Sequence, residues 1–305
     1  MSELPLVSIL CLSYNQSHYV IESLESIKSQ SYKNFEILIC DDCSKDDSVY
    51  IISNWIKNNP QLKVHFINHS ENKGICKSLN ELLNMSSGKY IQVLALDDLL
   101  NSDKLEKHVN ILETSDENQV MLFSDACLID SQSKRYQNTF IPYHYKFLSL
   151  ETGNFYERLL RENFIPAMSC LLKASALKKT GGWDENLTYE DYDMWLRLSK
   201  EYNFIYDNEL SCSYRLHETN THKKQNVLDK SIFTIYLKHK DQPIIKNKLL
   251  KIIDEAYLNN TLNEDHKEYL LNYGPKTLKE KLILRNAKKM TFDILLFLKK
   301  MYRRQ

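Results

Sequence analysis

Through its first hundred residues the chain alternates short apolar runs with amphipathic stretches. Val7–Leu12, Phe35–Cys40, Val64–Ile67 and Tyr90–Leu94 are short apolar runs that read as strands. Between them the period becomes helical. Tyr19–Gln30 places Val20, Leu24 and Ile27 on one face, and Ser48–Asn58 turns Ile51, Ile52 and Trp55 inward. Ile75–Met85 does the same with Ile75, Leu79, Leu82 and Leu83. A fourth helix is predicted after Asp103, carrying Leu105, Val109 and Leu112, with Asp103 and Glu106 spaced as a capping box. This alternation predicts an α/β fold with a mostly parallel, Rossmann-like sheet flanked by helices.

The second half is mixed. Ala167–Leu172 and Cys212–Leu216 read as strands, Thr180–Trp183 as a turn, and Glu190–Tyr202 as a helix carrying Met194, Trp195 and Leu198. From Gln225 onward the pattern is helical. The expected organisation is a catalytic domain over 1–224, with halves of about 1–100 and 101–224, and a helical C-terminal appendage over 225–305.

In open α/β sheets ligands sit beyond the carboxyl ends of the strands. Here those ends run into Ser13-Tyr14-Asn15, Asp41-Asp42 and Asp97-Asp98. Four carboxylates and an aromatic on one rim repel a phosphate unless a divalent cation lies between them.

Composition narrows the choices. Lys plus Arg balance Asp plus Glu at 40 each, so no global charge points to nucleic acid. The six glycines cannot build a GxGxxG or Walker A loop, which excludes the common NAD and ATP cradles. Seven scattered cysteines fit a reducing compartment better than a disulfide framework. Cys40 and Cys43 form a CxxC, but no second CxxC or histidine cluster completes a zinc site. Met1–Pro5 lacks a signal-peptide pattern, and Ile294–Leu298 is too short an apolar run to span a bilayer. A cytoplasmic protein is expected.

Six segments in order then resemble glycosyltransferase family 2, over roughly residues 5–222. They are VSILCLSYNQ (7–16), SQSYKNFEILICDDCSKDD (29–47), NHSENKGICKSLN (68–80), SGKYIQVLALDDLL (87–100), GGWDENLTYEDYDMWLRL (181–198) and YRLHETNT (214–221). The resemblance implies a GT-A fold and an inverting transfer of a sugar from a UDP-sugar to a hydroxyl of an acceptor glycan or lipid-linked glycan. It assigns Tyr14 to packing on the base. It assigns Asp42, with the role shared or split with Asp41, to the uracil imide N–H, which a carboxylate accepts. Lys73 is a candidate contact to phosphate or uracil. The family's DxD motif falls on Ala95-Leu96-Asp97, so its first aspartate is missing, while Asp97 is kept as ligand for Mn2+ or Mg2+. His217 is implied as a second metal or diphosphate contact. Glu190-Asp191 matches the ED motif, with Asp191 as general base, and Trp195 is a candidate for stacking on the acceptor sugar. The competing readings are a nucleotidyltransferase, which would need a Gly-rich, Arg-containing loop where Ser13–Gln16 stands, and a non-catalytic nucleotide- or glycan-binding relative.

Residues 276–305 carry ten Lys or Arg against Glu280 and Asp293, a net of +8, interleaved with leucines. Such a segment either lies on an anionic membrane, as in surface-polysaccharide assembly, or packs on the catalytic domain or a dimer partner.

Overall fold

The computed structural model describes residues 4–145, 149–218, 220, 225–274 and 277–284. The chain divides into two compact units, Met1–Ser231 and Ile232–Gln305. The strands are β1 (Val7–Ser13), β2 (Phe35–Asp41), β3 (Val64–Asn68), β4 (Tyr90–Ala95), β5 (Leu99–Leu100), β6 (Gln119–Ile129), β7 (Arg135–Thr139), β8 (Leu171–Lys173) and β9 (Asn203–Arg215). The helices α1 (Val20–Lys28), α2 (Ser48–Asn58), α3 (Ile75–Met85) and α4 (Lys104–Glu113) follow the first strands. Short α5 (Phe140–His144), α6 (Tyr156–Leu159) and α7 (Ala174–Lys179) precede the long α8 (Glu190–Glu201). Four helices close the described chain: α9 (Gln225–Leu237), α10 (Pro243–Leu258), α11 (Glu264–Tyr273) and α12 (Leu278–Leu284).

One sheet runs in the order β3-β2-β1-β4-β8-β6-β9-β5, with β7 paired to β6. Strands β3, β2, β1 and β4 are mutually parallel, so their carboxyl ends share one edge. Burial explains their sequence: β1 and β2 are covered on both faces, and Val20, Leu24 and Ile27 of α1 pack into the same core. Strand β8 is antiparallel to both β4 and β6, so the second half of the sheet is mixed. Strand β9 runs parallel to β6, while β5 pairs antiparallel with the end of β9 through Leu99 and Ser213. That last pairing draws the segment after β9 to the loop after β4.

Several expectations need correction. Ala167–Ser169 is a 3-10 turn after Pro166, with the Ser169 hydroxyl donating to the Pro166 carbonyl; only Leu171–Lys173 is strand. Asp103 makes no side-chain cap on α4 and pairs with Lys107 instead. Glu106 accepts from the Ser31 hydroxyl, so the predicted capping box does not form.

In the C-terminal unit, Ile245, Leu249 and Ile253 of α10 and Leu270 of α11 are buried. Asn263 and His266 form a capping box at the start of α11. Of the basic segment 276–305, only 277–284 are described. There Ile283 is buried and Lys279 pairs with Asp254 at 2.9 Å. The rest of that segment lies outside the described residues. Among the described residues no helix is long and apolar enough to cross a membrane.

Candidate active site

The site is built at the carboxyl edge of the parallel strands. Two loops there are laced together. The Asn15 amide donates to the Ser44 hydroxyl at 2.8 Å, the Asn15 side chain accepts from the Lys45 amide at 2.7 Å, and the Gln16 amide donates to Ser48. Asn15 has φ of 54°, a left-handed turn that asparagine tolerates better than most residues. The lacing leaves Tyr14 projecting at the rim, 47% exposed.

The two aspartates after β2 do different things. Asp41 is fully buried and accepts from the hydroxyls of Ser13 and Ser44 and from the Ser44 amide, which fixes the turn. Asp42 reaches across to α3. It accepts from the backbone amides of Lys73 at 2.8 Å and Gly74 at 2.9 Å, and sits 2.9 Å from His69 Nδ1. Gly74 adopts φ of 88°, which admits that close approach. The other nitrogen of His69 lies 2.9 Å from Glu81, which also pairs with Lys73 at 3.4 Å. Asp42 therefore holds the 69–74 loop, and Lys73 keeps an exposed ammonium beside it.

After β4, Asp97 and Asp98 are both buried. Asp97 Oδ2 lies 2.9 Å from His217 Nε2, and the His217 amide donates to Asn220 at 2.6 Å. Asp98 accepts from the Arg215 amide at 2.9 Å; burial, and then the charge of Asp97, push its carboxyl well above the usual range. Arg215, assigned no role from the sequence, is fully buried and donates to the Asp97 carbonyl at 2.7 Å and to Glu22 at 2.7 Å. The only sequence signal for it was its place in the 214–221 segment.

The third group opens α8. Gly181 and Gly182 have φ of 88° and 71°, and Arg197 donates to the carbonyls of Thr180 and Gly182 while pairing with Asp193 at 2.7 Å. Asn80 of α3 grips the Trp183 backbone at both ends. These bonds seat Glu190 and Asp191. Burial pushes Asp191 up to about 6, with the Tyr192 amide and the Asn163 side chain opposing. Burial, and then the Asp191 charge, push Glu190 up to about 8. Asn163 also bridges to the Tyr189 hydroxyl at 3.1 Å.

Tyr214 joins the groups. Its hydroxyl is pushed strongly upward by burial, and after that by the charges of Asp98, Asp97, Asp191 and Glu190. That hydroxyl therefore feels the charge of both the DD and the ED carboxylates. Trp195 is not among them: it is 3% exposed, with Nε1 buried and unpartnered, so no ring face is open for an acceptor sugar. Its helical spacing with Leu198 reflects core packing.

A buried carboxylate facing an imidazole is a donor set that suits Mn2+, and the carboxylate suits Mg2+. No cluster of three or more His, Cys, Asp or Glu able to hold a metal occurs among the described residues. Two protein donors fit a cation that takes its remaining ligands from diphosphate and water.

A parallel-to-mixed sheet with carboxylates at its switch edge defines the GT-A class. The sequence profile of Glycosyl transferase family 2 matches residues 8–181, and the chain belongs to that family. It is 30% identical over 218 residues to an uncharacterized glycosyltransferase of Rickettsia typhi, covering 71% of this chain and 66% of that protein. It is 31% identical over 215 residues to one of Methanocaldococcus jannaschii, covering 70% and 71%. It is also 30% identical over 230 residues to the chondroitin synthase of Escherichia coli, of which it spans only 31%. Among solved structures, the mannosyltransferase PcManGT of Pyrobaculum calidifontis, in complex with GDP-Man and Mn2+, superposes with a TM-score of 0.61 at 16% identity, covering 99% of this chain and 83% of that one. S. aureus TarS 1-349 in complex with UDP-GlcNAc gives 0.61 at 15%, covering 92% and 79%. These likenesses bear on the fold.

Proposed function

We propose that the protein is a metal-dependent inverting glycosyltransferase that moves a hexosyl or N-acetylhexosaminyl group from a UDP-sugar to a hydroxyl of an acceptor glycan. The observation that carries this reading is the buried pair of Asp97 and His217, 2.9 Å apart at the carboxyl edge of the parallel strands. Tyr14 packs on the base, and Asp42, on the loop anchored by Asp41, takes the imide N–H. Lys73 meets phosphate or uracil.

Asp97 and His217 would hold Mn2+ or Mg2+, which supplies charge neutralisation to the departing diphosphate. Asp191 accepts the proton of the acceptor hydroxyl as its oxygen attacks the anomeric carbon from the face opposite the diphosphate. The bond from that carbon to the diphosphate oxygen breaks, and one displacement inverts the centre. Glu190, half-buried beside Asp191, keeps the base in a water-poor setting.

The kinship to glycosyltransferases, and to a chondroitin synthase in part, supports a role in bacterial surface-glycan assembly in the cytoplasm, on a lipid-linked acceptor reached by peripheral membrane contact of 276–305, with homodimerisation as the other use of that segment. The test is product analysis with a panel of UDP-sugars and glycan acceptors. A β-linked product from an α-linked donor, lost in Asp191→Asn, supports the reading; hydrolysis alone with every acceptor counts against it.

A further inference from the structure

Arg215 is the fully buried cation of the site region, and every arm of it is used. Its Nε donates to the Asp97 carbonyl at 2.7 Å. One terminal nitrogen donates to the Asp130 carbonyl at 3.1 Å and the Ser133 hydroxyl at 2.8 Å, in the turn between β6 and β7. The other reaches Glu22 of α1 at 2.7 Å, and Glu22 also accepts from Ser133. The guanidinium lies 4.7 Å from the centre of the Tyr19 ring, and that ring in turn packs 5.0 Å from His217. The Arg215 backbone adds two bonds: its amide to Asp98 and its carbonyl to Asn220, whose side chain also accepts from the His217 amide.

We propose that Arg215 is a positioning residue that sets the spacing of Asp97 and His217, so that a divalent cation and the diphosphate of the donor bind together rather than independently. The inference rests on the proposed nucleotide-sugar reading. A planar fork of five donors is needed, because three elements must be held at fixed angles at once. A lysine carries the charge but only a point of contact. The Asp97 peptide carries the metal-facing carboxylate, Tyr19 braces the imidazole, and Arg215 touches both. Arg215 touches the metal edge directly and the Tyr14 loop only through the Tyr19 amide bond to the Gln16 carbonyl, so the larger effect falls on the metal edge.

The experiment uses the full chain. UDP binding is measured calorimetrically with and without Mn2+ for wild type, Arg215→Lys and Glu22→Gln, with thermal melts alongside. The expected result is that the enhancement of UDP affinity by Mn2+ falls about tenfold in Arg215→Lys, as in a loss of about 1.4 kcal/mol. In Glu22→Gln it falls about threefold. UDP affinity without metal stays within about twofold in both. Equal losses with and without Mn2+, or an unchanged enhancement in both variants, would overturn the inference and leave the parent reading intact. Absence of any Mn2+ enhancement in wild type overturns the parent reading itself. Should Arg215→Lys fail to melt cooperatively, Glu22→Gln decides, because Glu22 is partly exposed and its replacement leaves the fold's core untouched.

Discussion

His217 Nε2 lies 2.9 Å from Asp97 Oδ2, although 120 residues separate them in the chain. Two features bring them together. Strand β5, two residues long, follows Asp98 directly and pairs with the end of β9, and Arg215 then ties that end to the Asp97 carbonyl. A carboxylate and an imidazole held this way, both buried, are the pair proposed for the metal side of the site, with Glu190 and Asp191 proposed for the acceptor side.

Asp191, proposed as the general base, should set the pH profile of transfer. Asp191 accepts a proton only when ionised, and burial pushes it up to about 6. Transfer rates should therefore rise as pH climbs through about 6 and fall below it. Burial and the Asp191 charge push Glu190 up to about 8, so the two carboxyls give up their protons in two successive steps that belong to the pair. Glu190→Gln should keep the acid limb near pH 6 and abolish any change near pH 8. Asp191→Asn should lower turnover by about a hundredfold to ten-thousandfold with little change in UDP affinity. Steady-state rates from pH 5 to 9 check all three.

Much of this was legible along the chain. Strands β1, β2 and β4 read directly as apolar runs, because parallel strands buried on both faces need no alternation; β3, at the sheet edge, is only partly buried. Strand β6 did not, since Ser124 and Asp125 interrupt it; in the fold they are satisfied by Ser211, Thr139 and the Ile141 amide. The first part of β9 was hidden by Asp207, Asn208 and Glu209. The DD and ED motifs were recognisable from family resemblance. Arg215 and Asn163 were not, because their importance lies in partners far away in sequence. The helical spacing of Trp195 with Leu198 points to the core, and the ring lies there.

The cysteines offer a chemical check. Six are buried, and burial pushes the Cys40 thiol up to about 12. Cys43 is partly exposed, with the Lys45 ammonium 3.1 Å from its sulfur. A thiol reagent under native conditions should modify Cys43 first and leave Cys40 unreacted. Mass mapping of labelled peptides reads this out, and zinc bound in a one-to-one ratio with protection of both thiols would contradict it.

The double-glycine turn before α8 should resist substitution. Gly182 has φ of 71°, and a Cβ there would stand 2.6 Å from Asn80 Oδ1, the atom that caps the Trp183 amide. Gly182→Ala should cost about 1–3 kcal/mol of stability through backbone strain and the displaced asparagine. Urea melts compared with Gly181→Ala, where φ is 88° but a Cβ meets open space, separate the contact from the strain.

Asp97 is proposed to support metal-dependent binding of a nucleoside diphosphate. The most direct measurement is calorimetric titration of UDP into wild type and Asp97→Ala, each with and without Mn2+. Mn2+ should strengthen UDP binding in wild type and leave it unchanged in Asp97→Ala. UDP binding that is absent in every condition, or that Mn2+ strengthens equally in both proteins, would contradict it.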